Sequence, residues 1–222
     1  PTDGFTYFDS PGYFGHIELG RPVVFIQHIK DIMKVCKAVC FKCSKILISK
    51  TKHKHILKLN EQRRWHYVNT ESAKISRCGE SVIDGDTNYG CGCKQPDIKL
   101  EGMANIYALW DNTSKTDENN NDKITIRLTP EIILKIFKRI SDEDITFMGF
   151  NPLWSRPEWL ICQVLPVPPP SMRPSVKQDA QQRSEDDITH IYSNIIKTNK
   201  DLCDKIANGA NANVIEGLTS VL

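Results

Sequence analysis

Three stretches of the chain carry apolar residues at helical spacing. Phe25, Ile29, Ile32, Met33 and Cys36 predict a helix over 22–36, with Pro22 in the first turn, where a missing N–H costs nothing. Ile133, Ile136, Phe137 and Ile140 predict a second, with Lys135, Lys138 and Arg139 on its other face. Thr129-Pro130-Glu131 starts it with a hydroxyl cap, a proline and an acid, and it is expected to end near Ser141. From Asp187 onward, Ile188, Ile191, Tyr192, Ile195, Ile196, Leu202 and Ile206 form a stripe of coiled-coil character, with Asn199 as a polar interruption. Asn208 and Gly209 stop it, and Val214, Ile215, Leu218, Val221 and Leu222 begin another helix, so an antiparallel pair is expected at 187–222. That pattern is still running at Leu222 and Pro1 is not an initiator methionine, which reads as part of a longer chain.

Shorter apolar runs predict strands at 46–48, 98–100, 106–110 and 124–128, and a buried strand at 159–167. Residues 1–20, rich in Gly, Pro, Asp and aromatics, read as irregular and turn-dominated, and 50–64 as surface helix or loop. The run 111–122 is too poor in apolar residues to fold and is expected to be a mobile loop tip. Pro166, Pro168, Pro169, Pro170 and Pro174 make a stiff arm leading into a polar tip, with Arg173, Lys177 and Arg183 spaced along it. Asp142, Glu143 and Asp144 are consecutive acids that share no helix face, so they are expected to open another helical turn rather than form a catalytic carboxylate cluster. Val82-Ile83-Asp84-Gly85-Asp86 is read as turn chemistry rather than a magnesium loop. Together these elements place the chain in the α+β class, as an irregular domain of short strands and several helices.

Composition adds size and charge. At 222 residues and 40% hydrophobic, the chain can bury a sizeable core in one or two domains. No apolar run approaches the roughly 18–20 residues that span a bilayer, so no membrane partner is expected. The net charge of +2 hides a segregation: thirteen Lys or Arg lie in 29–77 against Asp31, Glu61 and Glu71, a local excess of +10 that leaves the remainder at −8. With Trp65, His66 and Tyr67 beside Arg63 and Arg64, this block reads either as a surface for a phosphate backbone or as a solvated basic face.

Candidate chemistry rests on cysteine. Cys40 and Cys43 form a C-x-x-C pair that lets two thiolates reach one metal from a tight turn, Cys78 precedes Gly79, and Cys91 lies between Gly90 and Gly92. The quartet suits one tetrahedral zinc ion, with Cys36 or Cys93 as alternatives for one ligand. The 34 residues between Cys43 and Cys78 make this a staple inside a larger domain rather than a small finger. Free thiols or disulfides are the plainer reading, yet 8 cysteines are too sparse for a disulfide scaffold of this length. A closed four-thiolate site has no open position at which to activate water.

Several further segments carry a family resemblance. Ser155-Arg156-Pro157-Glu158-Trp159, Val164-Leu165-Pro166-Val167-Pro168-Pro169 and Arg173-Pro174 resemble A-R-P-E-W, V-L-P-V-P-P and R-P of the N-terminal clamp region in the largest subunit of DNA-directed RNA polymerase, closest to the polymerase II type. Residues 136–143 resemble its I-F-K-R-I-S-D-E, residues 12–19 its C-P-G-H-F-G-H-I-E-L element, and Gly90-Cys91-Gly92 with Gln95-Pro96 its G-C-G-x-x-Q-P. The resemblance implies that Cys40, Cys43, Cys78 and Cys91 hold the second of the family's two zinc ions. It also implies that the first site is eroded, since Ser10, Tyr13 and Asp3 stand where its ligands are expected. It divides the chain into clamp core and zinc-bound clamp head (1–167), a lid-like loop (168–186) bringing Arg173, Lys177 and Arg183 to nucleic acid, and a clamp coiled coil (187–222). The implied partners are the DNA template and DNA–RNA hybrid, the second-largest and smaller polymerase subunits, and initiation or elongation factors at the coiled coil. The catalytic Mg2+ of the parent nucleotidyltransferase is expected outside these residues, which carry no catalytic group. Location follows source: the nucleus for a cell, and for a large DNA virus a cytoplasmic factory, the virion or the host nucleus. The alternative is a standalone zinc module that binds nucleic acid or a transcription factor.

Overall fold

The computed structural model describes residues 4–6, 9–80, 90–111, 123–177 and 183–222. Of the loop expected at 111–122, Asp111 ends a strand paired with Lys123 and 112–122 lie outside the described residues, as do the turn expected at Asp84-Gly85-Asp86, Asp3 and the tip at 178–182. The chain forms two compact units, one of 1–23 with 163–222 and one of Val24–Cys162. Six α-helices and short strands among the described residues give a mixed α+β fold. No helix among them is long and apolar enough to cross a membrane.

The first unit opens with β1, Gly15–Val24, which begins inside the stretch expected to be irregular and takes Pro22 from the expected helix. Its period-two signal is visible in hindsight: Ile17, Leu19 and Arg21 are half-buried while His16, Glu18 and Gly20 are exposed. The Gly and Pro residues around it hid that alternation.

In the second unit, helix α1 spans Ile29–Ala38, starting seven residues later than Pro22, and buries Ile29, Ile32, Val35, Cys36 and Ala38. Helix α2, Glu61–Ser72, is capped by the Asn60 side chain, which accepts from Arg63 N–H. Strands β2 (Asp97–Glu101), β3 (Asn105–Asp111) and β4 (Lys123–Leu128) form an antiparallel sheet with Ile98 opposite Ala108 and Ala108 opposite Ile126. Helix α3, Pro130–Lys138, starts at the expected Thr129 cap, and α4, Asp142–Met148, at Ser141, whose hydroxyl accepts from Asp144 N–H. The consecutive acids therefore open a helix, with Asp142 paired to Arg156, and Glu143 and Asp144 to Lys50. Phe137, Ile133, Ile145, Ile56 and Val68 are fully buried in one core that also gathers Ile98, Ile106 and Leu128.

Two expected strands in this unit are corrected. Residues 46–48 form only a single bridge, Ile46 to Val39, although Leu47 and Ile48 are buried. Residues 159–160 belong to a 3-10 turn, Pro157–Leu160, that precedes β5, Ile161–Val167. Only Ile161 and Cys162 of β5 are buried, and Trp159 remains 53% exposed. Apolar composition overstated burial there, because Pro166 withholds an N–H and suits a strand in a two-stranded sheet with β1.

The first unit continues through β6 (Val176–Lys177) and β7 (Arg183–Ser184), an antiparallel pair that sets Lys177 opposite Arg183. Helix α5, Asp187–Ala207, is capped by Asp186 and ends at Asn208. Helix α6, Ala212–Val221, follows a tight turn and packs on α5. Asn199, expected as a polar interruption, is instead buried and clamps β1: Nδ2 donates to the Glu18 carbonyl and Oδ1 accepts from Gly20 N–H, both at 2.8 Å. Tyr192 adds a hydroxyl donated to the Pro166 carbonyl at 2.8 Å. Asn199→Leu is expected to leave two backbone groups unpaired and to cost about 1–3 kcal/mol for each one kept from water. Faster amide exchange at Gly20 in a folded variant is the readout.

Candidate metal centre

The C-x-x-C turn leaves the end of α1. Cys40 N–H donates to Lys45 O (2.8 Å) and Ser44 N–H to Cys40 O (2.9 Å), with Ser44 held at φ 61, so both thiols face the inside of one turn. The second pair of thiols comes from two segments laid side by side. Cys78 N–H donates to Cys93 O and Gly92 N–H to Cys78 O, each at 3.0 Å. Gly90 is required there by close approach, because a Cβ would lie 2.4 Å from the Cys78 carbonyl carbon and from Gly79 N.

These contacts bring the Sγ atoms of Cys40, Cys43, Cys78 and Cys91 within 4.8 Å of one another, a group that can hold a metal ion. Cys40 and Cys91 are 3.5 Å apart, and Cys43 and Cys78 3.7 Å. A tetrahedral ion with metal–sulfur bonds near 2.3 Å needs sulfurs about 3.8 Å apart, so the donors and their spacing fit zinc. Cys40 and Cys78 are buried, Cys43 is half-buried and Cys91 exposed. Burial pushes the Cys78 thiol well above its ordinary range, so metal binding must displace its proton. Cys36 lies in the α1 core, outside the group, with its thiol pushed up to about 12 by burial.

Sequence reasoning missed the residue that orders this centre. Gln95 accepts from Phe41 N–H at Oε1 (3.0 Å), while Nε2 donates to Cys93 O (2.8 Å) and to Cys40 Sγ (3.3 Å). One side chain thus ties the C-x-x-C turn to the Cys91 segment and donates to a sulfur of the cluster. Its signal was the Gln-Pro pair after Cys91. Gln95→Leu is expected to weaken metal binding roughly 10- to 100-fold, the usual effect of losing such an outer contact, as measured by competition with a chelator.

Comparison with known proteins bears on what this centre belongs to. A family model described as RNA polymerase Rpb1, domain 1, matches residues 2–222. The chain belongs to this family. The DNA-directed RNA polymerase subunit Rpo1N of Methanocaldococcus jannaschii is 38% identical over 223 residues, covering 96% of the chain. The chain spans about 15% of the length of that relative. It corresponds to the N-terminal part of the largest RNA polymerase subunit.

In this Rpb1-family chain the motif residues have structural tasks. Arg156 joins Asp142 and Glu158 and donates to the Ile140 carbonyl, locking the turn after α3 to the R-P-E segment. The aromatics of the basic block are also engaged: Trp65 packs edge-on against Phe150 (4.8 Å between ring centroids), and the Tyr67 hydroxyl meets His53 Nδ1 at 2.9 Å. Arg64 is spent on the carbonyls of Thr146, Leu57 and Leu59, whereas Arg63 and His66 are exposed. Of the three cations expected at nucleic acid, Arg173 is half-buried and donates to Pro168 O (2.9 Å) and Thr189 Oγ1 (3.2 Å). Lys177 and Arg183 stand exposed across the β6–β7 pair, where Arg183 also donates to Ser175 Oγ at 3.4 Å.

Proposed function

We propose that this chain is the clamp region of a DNA-directed RNA polymerase largest subunit, closing over the DNA–RNA hybrid during templated transcription. The observation that carries this reading is the family match over residues 2–222, joined to a four-thiolate cluster built from the matching cysteine motifs. One Zn2+ on Cys40, Cys43, Cys78 and Cys91 is the structural ion, and the Mg2+ that supports nucleotidyl transfer belongs elsewhere in the parent enzyme. Residues 1–167 serve as clamp core and head, 168–186 as the lid, and 187–222 as the coiled coil that receives initiation or elongation factors. The second-largest and smaller subunits complete the assembly, in the nucleus of a cell or in the factory, virion or host nucleus of a virus.

Binding in this reading is electrostatic and without sequence preference, and it weakens as salt rises. Lys177 and Arg183 contact nucleic acid, while Arg173 fixes the base of the loop through its two hydrogen bonds. A photo-crosslinking side chain at position 177, in polymerase assembled on a DNA–RNA scaffold, is expected to label the nucleic acid near the hybrid. Labelling confined to protein contradicts the lid assignment, and failure of the chain to assemble with the second-largest subunit contradicts the polymerase reading.

A further inference from the structure

We propose that Cys93 is a reserve ligand, able to take the fourth metal position in place of Cys91. The proposal rests on the reading of the four-cysteine cluster as a metal site and concerns a fifth thiol that lies outside it.

Cys91-Gly92-Cys93 is a C-x-C segment, and both of its thiols are carried past Cys78. The Cys93 carbonyl accepts from Cys78 N–H (3.0 Å) and from Gln95 Nε2 (2.8 Å), so its backbone is fixed beside a ligand residue from two directions. Its side chain is half-buried and packs against Cys40, Leu47 and Cys78, the apolar floor of the cluster. In the described arrangement its thiol donates to the Lys94 carbonyl at 3.6 Å, a weak contact that costs little to give up. Cys91, by contrast, is the exposed member of the quartet.

Between the two lies Gly92, at φ 70, where a Cβ would meet nothing within 4 Å. Glycine's wide range of dihedrals lets this residue turn one thiol out as the other turns in, at the expense of the hydrogen bond from Gly92 N–H to Cys78 O (3.0 Å). The exchange replaces one metal–thiolate bond by another, and the proton lost from Cys93 is taken up by Cys91. Charge and coordination number are unchanged. Loss of the exposed Cys91 therefore leaves a complete four-thiolate set.

The test compares the full chain with C91S, C93S and C91S/C93S, by zinc content and by the thiolate-to-metal absorption of cobalt-substituted protein. C91S is expected to keep one metal with four-thiolate absorption, C93S to match the unsubstituted chain, and the double variant to lose both stoichiometric metal and four-thiolate absorption. If C91S matches the double variant in absorption and metal content, the reserve role is overturned. Metal loss in C93S alone overturns it as well, by making Cys93 the resident ligand. An unsubstituted chain that binds no zinc removes the metal reading itself, an outcome distinct from the other two.

Discussion

Cys78→Ser is expected to abolish stoichiometric zinc binding and to unfold the segment around the cluster. The effect is large because Cys78 is a buried member of the quartet, seated where its backbone already docks the Cys91 segment. Its thiol is one of the four, and its backbone makes the two hydrogen bonds that hold the Cys91 segment in place. Serine keeps the backbone but leaves three thiolates around a buried position. Structural zinc sites release on the order of 10–16 kcal/mol in small peptides, while ordering a residue costs about 1–2 kcal/mol, so one ion offsets roughly ten residues. The excursion from Cys40 to Cys91 is longer than that and is held elsewhere by Ile48, Ile56 and Val68 in the core. Loss of zinc should therefore raise protease sensitivity around residues 40–45 and 76–80 while α1 and α2 persist. Limited proteolysis with zinc analysis reads both, and retained zinc would mean the quartet is wrong.

The second large effect belongs to Phe137→Ala. Phe137 is wholly buried on α3, among the largest side chains of the Val24–Cys162 core. Truncating such a ring removes transfer energy and leaves a cavity, typically about 3–5 kcal/mol. For a unit of this size that corresponds to a fall in Tm of roughly 10 °C, followed by circular dichroism in excess zinc. The four-thiolate absorption of the cobalt form should survive below that temperature. Loss of metal with the fold intact would show that the core and the centre are not separable in the way the contacts indicate.

These two sites differ in how far they were legible before the fold. Phe137 lay on a helix whose cap, proline and apolar period agreed, and α3 begins where they placed it. The four cysteines were legible because a metal ion restricts residue type and spacing. Partners chosen by backbone geometry were hidden. Gln95 acts through hydrogen bonds to groups 54 and 55 positions away, which no local period encodes. Asn199 looked like a break in an apolar stripe because its partners, Glu18 and Gly20, sit at the other end of the chain. Likewise Pro22 obscures β1, and the apolar run 46–48 is buried without pairing as a strand because burial and strand pairing share one apolar signature. The charge of Arg173 was legible, but its hydrogen bonds to Pro168 O and Thr189 Oγ1 were not, because they depend on how the loop folds back on α5.

In the proposed centre four cysteine thiolates hold one zinc ion. X-ray absorption at the zinc edge of the purified chain tests it most directly. The expected result is one zinc per chain with four sulfur neighbours at about 2.3 Å and no nitrogen or oxygen in the first coordination sphere. A mixed sulfur and nitrogen or oxygen sphere, or a folded chain without zinc, would contradict it.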